Sequence, residues 1–293
     1  MWKTLKMASL LFTITMAIGT CTYGQASPVK KATASVVVKQ TTLRVQPAIT
    51  YPGDVLFVRS NQATAVTLFG NTYNMRVSNG EYVRFIPIPI GTKAGVYTLQ
   101  TADKKTKATV KIAEKSFATD SITVSKQMAS MRQNTARINA EQVKINKARS
   151  VSAATPYFTT AFQMPVAGTL TTPYGYQRIV NGKPSSRHLA IDIANKEGTP
   201  VYASNAGKVV LAEYLYLTGN TVMIDHGISL FSSYGHMSKL DVKAGQIVKK
   251  GQLIGKVGST GFSTGPHLHY AMLIGNTFIN PNPFFTASPY QWK

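Results

Sequence analysis

The run Gly265-Pro266-His267-Leu268-His269-Tyr270 carries two of the chain's five histidines. Leu268, Tyr270 and Leu273 predict a buried strand that follows a glycine-rich turn, Gly258 to Gly265. Residues two apart on a strand share a face, so His267 and His269 aim into one space. His188-Leu189-Ala190-Ile191-Asp192 has the same logic. His188, Ala190 and Asp192 would share one face of a strand, and Leu189, Ile191 and Ile193 the apolar other. Ala190 is small and leaves the imidazole and the carboxylate unobstructed. Zinc takes imidazole nitrogen and carboxylate oxygen, and a catalytic zinc keeps three protein ligands and one open position. Two histidines and one aspartate from these stretches meet that requirement. A lone strand histidine is more commonly a packed side chain. The co-occurrence of both stretches with a third isolated histidine, Tyr234-Gly235-His236-Met237, is what points to a site.

The elements that must position these residues read as mainly β. After Asp192 come short β runs with glycine-rich turns: Val201 to Ser204, Gly207 to Ala212, Thr221 to Asp225 and Leu230 to Tyr234. Arg178 to Arg187 reads as a polar loop turning at Asn181-Gly182, one wall of a groove beside His188. Asn181 is a minor candidate to reach the metal. His226 and Asp225 read as turn or packing residues, with Asp225 a lesser candidate to orient a ligand histidine. Further upstream, Asp54 to Arg59, Ala65 to Phe69, Glu81 to Ile86, Val96 to Thr101 and Lys107 to Ala113 predict the strands of a small β-sandwich. Between the two β regions, Ser125 to Ser150 lacks Gly and Pro. Val124, Met128, Met131, Thr135, Ile138, Gln142 and Ile145 recur at helical spacing, which predicts a connecting helix packed on a neighbouring domain. Val151 to Thr160 reads as a linker.

The region from Met164 to Phe285 resembles the lysostaphin-type (LytM-like) zinc metallopeptidases, the peptidoglycan endopeptidases of bacterial cell walls. The resemblance rests on His188-x-x-x-Asp192, Gly198-Thr199-Pro200-Val201, Asp225-His226-Gly227, Tyr234-Gly235-His236, Val248 to Gly255, Gly258-Ser259-Thr260-Gly261 and Ser263 to His269. Ala190 stands where the family commonly has glycine. The resemblance implies an antiparallel β-sheet peptidase domain over 161–293, with zinc on His188, Asp192 and His269. It places His236 and His267 in the catalytic set, one as general base and the other stabilising the oxyanion or protonating the leaving amine. The upstream β piece resembles the Ig-like N-terminal domains that accompany some of these peptidases, which implies an Ig-like β domain over 41–118; the helical stripe and the linker after it set a helical connector and linker over 119–160. The activity implied is hydrolysis of amide bonds in peptidoglycan stem peptides or cross-bridges. Some relatives are non-catalytic scaffolds or hydrolase activators, but those usually lack the metal ligands, and all five positions are filled here. A basic binder of envelope polymers with an unused metal site is a further alternative.

Lys and Arg outnumber Asp and Glu by 32 to 11, a net charge of +21 that favours a polyanionic partner. The N-terminus predicts export: Lys3 and Lys6, an apolar run from Met7 to Gly19 too short for a stable membrane span, and a Gly24-Gln25-Ala26 cleavage site. A signal peptide over 1–26 followed by a flexible leader over 27–40 places the protein in the periplasm or at the cell wall. Its removal takes two lysines and leaves +19. Cys21, the single cysteine, lies inside that segment in a poor lipoprotein context. Export disfavours nucleic acid as the partner and favours peptidoglycan and other anionic envelope polymers.

Overall fold

The computed structural model describes residues 40–78 and 80–286. The expected signal peptide, Cys21 and the leader up to residue 39 lie outside the described residues.

The protein is mainly β, as expected. Its N-terminal part is two stacked sheets. One has four strands in the order Leu43–Gln46, Val55–Ser60, Glu81–Pro87, Arg76–Ser78. The other has five: Ile49–Thr50, Lys107–Ile112, Gly95–Thr101, Ala65–Leu68, Asn71–Asn74. The strand alternation read from the sequence decides what lies between them. Leu56, Val58, Ile86 and Ile88 meet Val66, Leu68, Leu99, Val110 and Ile112. The opposite face of the four-stranded sheet is also apolar. Val55, Phe57, Val83 and Phe85 join a second core shared with the C-terminal sheet. That core therefore crosses the boundaries expected at 118 and 160.

The C-terminal sheet has eight strands. Its path runs Thr169–Thr172, Ile191–Ala194, His267–Ile274, Leu230–Met237, Gly219–Asp225, Gly207–Leu215, Ile247–Val248, and Thr277–Ile279 pairs with His267–Ile274. Every pairing in it is antiparallel. One face, with Ile191, Ile193, Val222, Ile224, Tyr234, Leu268, Tyr270 and Met272, packs into the shared core. The other holds Ala190, Met223, Phe231, Ala271 and Leu273, against which Ile145 and Ala148 pack.

The expected single helix is two: α1 (Lys126–Met131) and α2 (Thr135–Arg149). The break has a local cause. The Asn134 side chain accepts from the Arg137 backbone N–H, and Ser125 does the same for Met128, so each helix begins at its own cap. The helix does pack on the neighbouring sheet, through Ile145 and Ala148. The 151–160 segment has neither helix nor strand, yet it is pinned. Phe158 is buried, and Asp225 accepts from Ser152 Oγ and the Ala153 N–H.

The polar loop expected at 178–187 is a hairpin of Gln177–Val180 and Lys183–Arg187, turning at Asn181-Gly182. Asn181 (φ 50°) and Gly182 (φ 75°) are both left-handed, as a tight hairpin turn requires. Thr119–Ile122 adds to this hairpin in parallel, pairing Asp120 with Arg178. The N-terminal half thus supplies a strand to the region beside His188.

Candidate active site

Strand register assembles the site. Asp192 lies opposite His269 on the neighbouring strand, and His269 lies opposite Gly235 one strand further on. Three adjacent strands therefore deliver a carboxylate, an imidazole and, one residue past Gly235, His236. His188 is brought in differently from the expectation. The strand begins only at Ile191, and His188 sits in the segment that precedes it. Its backbone is fixed by pairing with Tyr176 and Gly175, so the ring still reaches the carboxylate. Ala190 is buried in the core against which Ile145 and Ala148 of α2 pack.

The three expected ligand atoms converge. His188 Nε2 is 3.1 Å and His269 Nδ1 2.9 Å from Asp192 Oδ1, and the two ring nitrogens are 3.3 Å apart. Of the described residues, His188, Asp192 and His269 form the group of candidate ligands whose atoms all lie within 4.8 Å of one another. Two imidazoles and a carboxylate at this spacing fit zinc. Burial works against the charge on Asp192, but hydrogen bonds from His188 and His269 outweigh it and hold the carboxyl well below the usual range. Burial lowers the His269 pKa, against the opposing pull of the Asp192 carboxylate.

The other two histidines stand beside this group with their outer nitrogens engaged. His236 Nδ1 is 2.7 Å from the Thr260 carbonyl, and His267 Nδ1 is 2.8 Å from the Gly265 carbonyl. A carbonyl only accepts, so each ring carries a proton on Nδ1, and Nε2 is the nitrogen left to face the cleft. The ring centres are 4.8 Å apart. Burial, then the neighbouring imidazoles of His269 and His267, push the His236 pKa down to about 3. His236 also adopts φ 62°, a left-handed conformation at a strand irregularity. A non-glycine residue there costs on the order of 1 kcal/mol, a strain typical of positions set by function.

The remaining candidates fall outside. His226 is fully buried, bonded to Ala206 O and Ser232 Oγ, and is a packing residue. Asp225 accepts from the Gly227 N–H and holds the 152–153 segment. Asn181 spends its amide on both backbone groups of Val124 and is not part of the metal group. Tyr234 is buried in a hydroxyl chain with Ser204, Ser232 and Tyr270.

A cleft of about 450 Å³ opens over the cluster, lined by Asp192, His236, His267 and His269 and also by Asp120, Arg132, Arg178 and Phe262. Arg178 belongs to the segment expected to wall the groove, whereas sequence reasoning missed Asp120, Arg132 and Phe262 as cleft residues. Arg178 Nη2 donates to Asp192 Oδ2 at 3.3 Å and to Asp120 Oδ2 at 3.4 Å. It grips the carboxylate oxygen that the imidazoles leave free. The Asn-Gly turn between two short β runs was the signal that could have placed Arg178 on a hairpin.

Comparison with known proteins agrees with this geometry. Residues 186–281 match peptidase family M23. The chain is 45% identical over 93 residues to the peptidoglycan DD-endopeptidase ShyA of Vibrio cholerae, covering 32% of this chain and 22% of that protein. It is 40% identical over 124 residues to lysostaphin of Staphylococcus simulans, covering 40% of this chain and 25% of that protein. The chain thus spans about a quarter or less of the length of these two relatives. A crystal structure of a candidate M23 peptidase from Pseudomonas aeruginosa superposes with a TM-score of 0.61 at 28% identity, over 81% of this chain and 96% of that one. That likeness extends well beyond residues 186–281.

Proposed function

We propose, from the premise that residues 186–281 are a domain of the zinc-dependent peptidase family M23, that this protein is an exported endopeptidase that hydrolyses amide bonds in peptidoglycan. The observation that carries the reading is the convergence of His188, Asp192 and His269 beside two further imidazoles in one open cleft. His188, Asp192 and His269 hold the zinc. Zinc bound there supplies a Lewis acid for the scissile carbonyl and acidifies the attacking water. His236 and His267 move the protons. Their Nδ1–H groups are anchored on backbone carbonyls, so the Nε2 lone pair of one accepts the proton released by water. The pair then delivers a proton to the nitrogen of the breaking C–N bond, which leaves as amine while the acyl half leaves as carboxylate. The relatives' names place DD-endopeptidase activity at ShyA. For this chain, stem-peptide or cross-bridge amides are the proposed substrate class.

Residues 161–293 act as the peptidase domain, and residues 41–118 as a β module that braces it. Lys3, Lys6 and the apolar run after them support export to the periplasm or cell wall. The +19 charge of the processed chain favours retention on peptidoglycan-associated anionic polymers, an attachment that salt weakens. Mass spectrometry of muropeptides released from purified walls tests the activity. Amide-cleaved fragments should appear with zinc and vanish with a chelator or with His267→Ala. Unchanged walls under all three conditions would refute the reading.

A further inference from the structure

Arg132 has no role in the chemistry above, yet it lines the same cleft. It lies outside residues 186–281, at the C-terminal cap of α1. Two contacts fix its guanidinium. Nη1 donates to Ser185 Oγ at 2.6 Å, and the group lies 4.5 Å from the centre of the Phe262 ring. No carboxylate pairs with it among the described residues. Arg178, the other cleft arginine, is bound to two. Burial, and then the Arg178 guanidinium, pull the Arg132 pKa below its ordinary value, so the charge is held where an anion would relieve it. The cleft's two arginines are balanced by Asp120 and Asp192, and a divalent ion on the ligand group adds positive charge that no other lining carboxylate offsets.

A half-buried, planar guanidinium held by a hydroxyl and an aromatic face, and lacking an acid partner, is a preorganised fork for a carboxylate. We propose that Arg132 anchors a free carboxylate of the substrate, so that the enzyme selects stem-derived peptides carrying a carboxylate close to the scissile amide over carboxylate-free bridges such as oligoglycine. The proposal rests on the peptidoglycan reading and deepens it. It makes a residue from the helical connector a specificity determinant for a site whose ligands lie in the M23 region.

The test compares two cross-linked stem peptides that differ only in this group, one with the free carboxylate and one with it converted to the carboxamide. The full zinc-loaded protein should favour the free acid in kcat/KM by about tenfold or more, the span of a charge-assisted hydrogen bond. Arg132→Gln should collapse that ratio to below about twofold, and Arg132→Lys, which keeps the charge without the fork, should give an intermediate value. Equal cleavage of both peptides by the unaltered protein would overturn the inference and leave the peptidase reading standing. Cleavage of neither would overturn both. A preference that survives in Arg132→Gln would place the anchor elsewhere and also overturn the inference.

Discussion

Arg178 Nη2 meets Asp192 on Oδ2 at 3.3 Å, while His188, His267 and His269 all face Oδ1. The carboxylate is thereby divided. One oxygen is turned to the metal group and the other is tied to a hairpin that the Asp120 strand stabilises. A partner of this kind sets the orientation of a ligand and commonly contributes ten- to a hundredfold in metal affinity. Arg178→Gln should weaken zinc binding by about tenfold. Asp120→Asn should weaken it less, since Asp120 acts through Arg178. Competition against a chromogenic chelator reads both, and equal affinities for all three proteins would exclude the positioning role.

The five proposed site residues divide by what their loss should remove. His269→Ala should lower zinc content below one per chain. His236→Ala and His267→Ala should retain stoichiometric zinc and lose turnover by about 10²- to 10⁴-fold, the usual contribution of a positioned proton carrier. Metal analysis beside peptide cleavage separates the two groups. A His267→Ala protein without zinc would move that residue into the ligand set.

Strand alternation makes much of this site legible in the amino-acid sequence. His267 and His269 fall on one strand, and their neighbours Leu268 and Tyr270 are in the core. The register that sets Asp192 opposite His269 is not legible there, because the two strands are brought together by pairing over 77 residues of sequence. His188 reaches the site from off the strand, where period-two reasoning does not apply. Arg178, Asp120 and Arg132 carry no motif. Their placement depends on a parallel pairing between Thr119–Ile122 and Gln177–Val180 and on a helix break at Asn134. In the N-terminal part, Val55, Phe57, Val83 and Phe85 signal a buried sheet face, but nothing local to them names the C-terminal sheet as its cover.

His226 predicts a pH dependence of stability. Burial lowers its pKa from 6.5 to about 4, against a smaller opposing effect of its hydrogen bond to Ala206. The unfolded chain therefore binds a proton here between pH 6.5 and 4 that the folded chain refuses. The His226 contribution is fully present above pH 6.5 and is lost as pH falls toward 4, by up to about 3 kcal/mol. Urea unfolding of the zinc-loaded protein and of His226→Gln across this range isolates the effect. Their stability difference should shrink as pH falls, and a difference independent of pH would show that His226 does not stay neutral in the fold.

Asn280 ties the C-terminal part to the N-terminal sheets through two hydrogen bonds. Its Nδ2 donates to Asp54 Oδ1 at 3.0 Å, and its backbone N–H donates to Gly53 O at 2.7 Å. Burial raises the Asp54 pKa, and the Asn280 bond and the more distant Lys115 charge oppose that rise. Asn280→Ala removes the amide donor and leaves the carboxylate with Lys115 at 3.8 Å and the Tyr51 backbone. The cost should be about 1–3 kcal/mol, the loss of one hydrogen bond to a buried charged group. Asp54→Asn, which removes the charge and can accept from Asn280, should cost less. Because Phe57 and Phe85 bury against the C-terminal core at this junction, the loss should appear as one cooperative transition at lower denaturant. Two separated transitions would instead show that the sandwich and the peptidase sheet unfold independently.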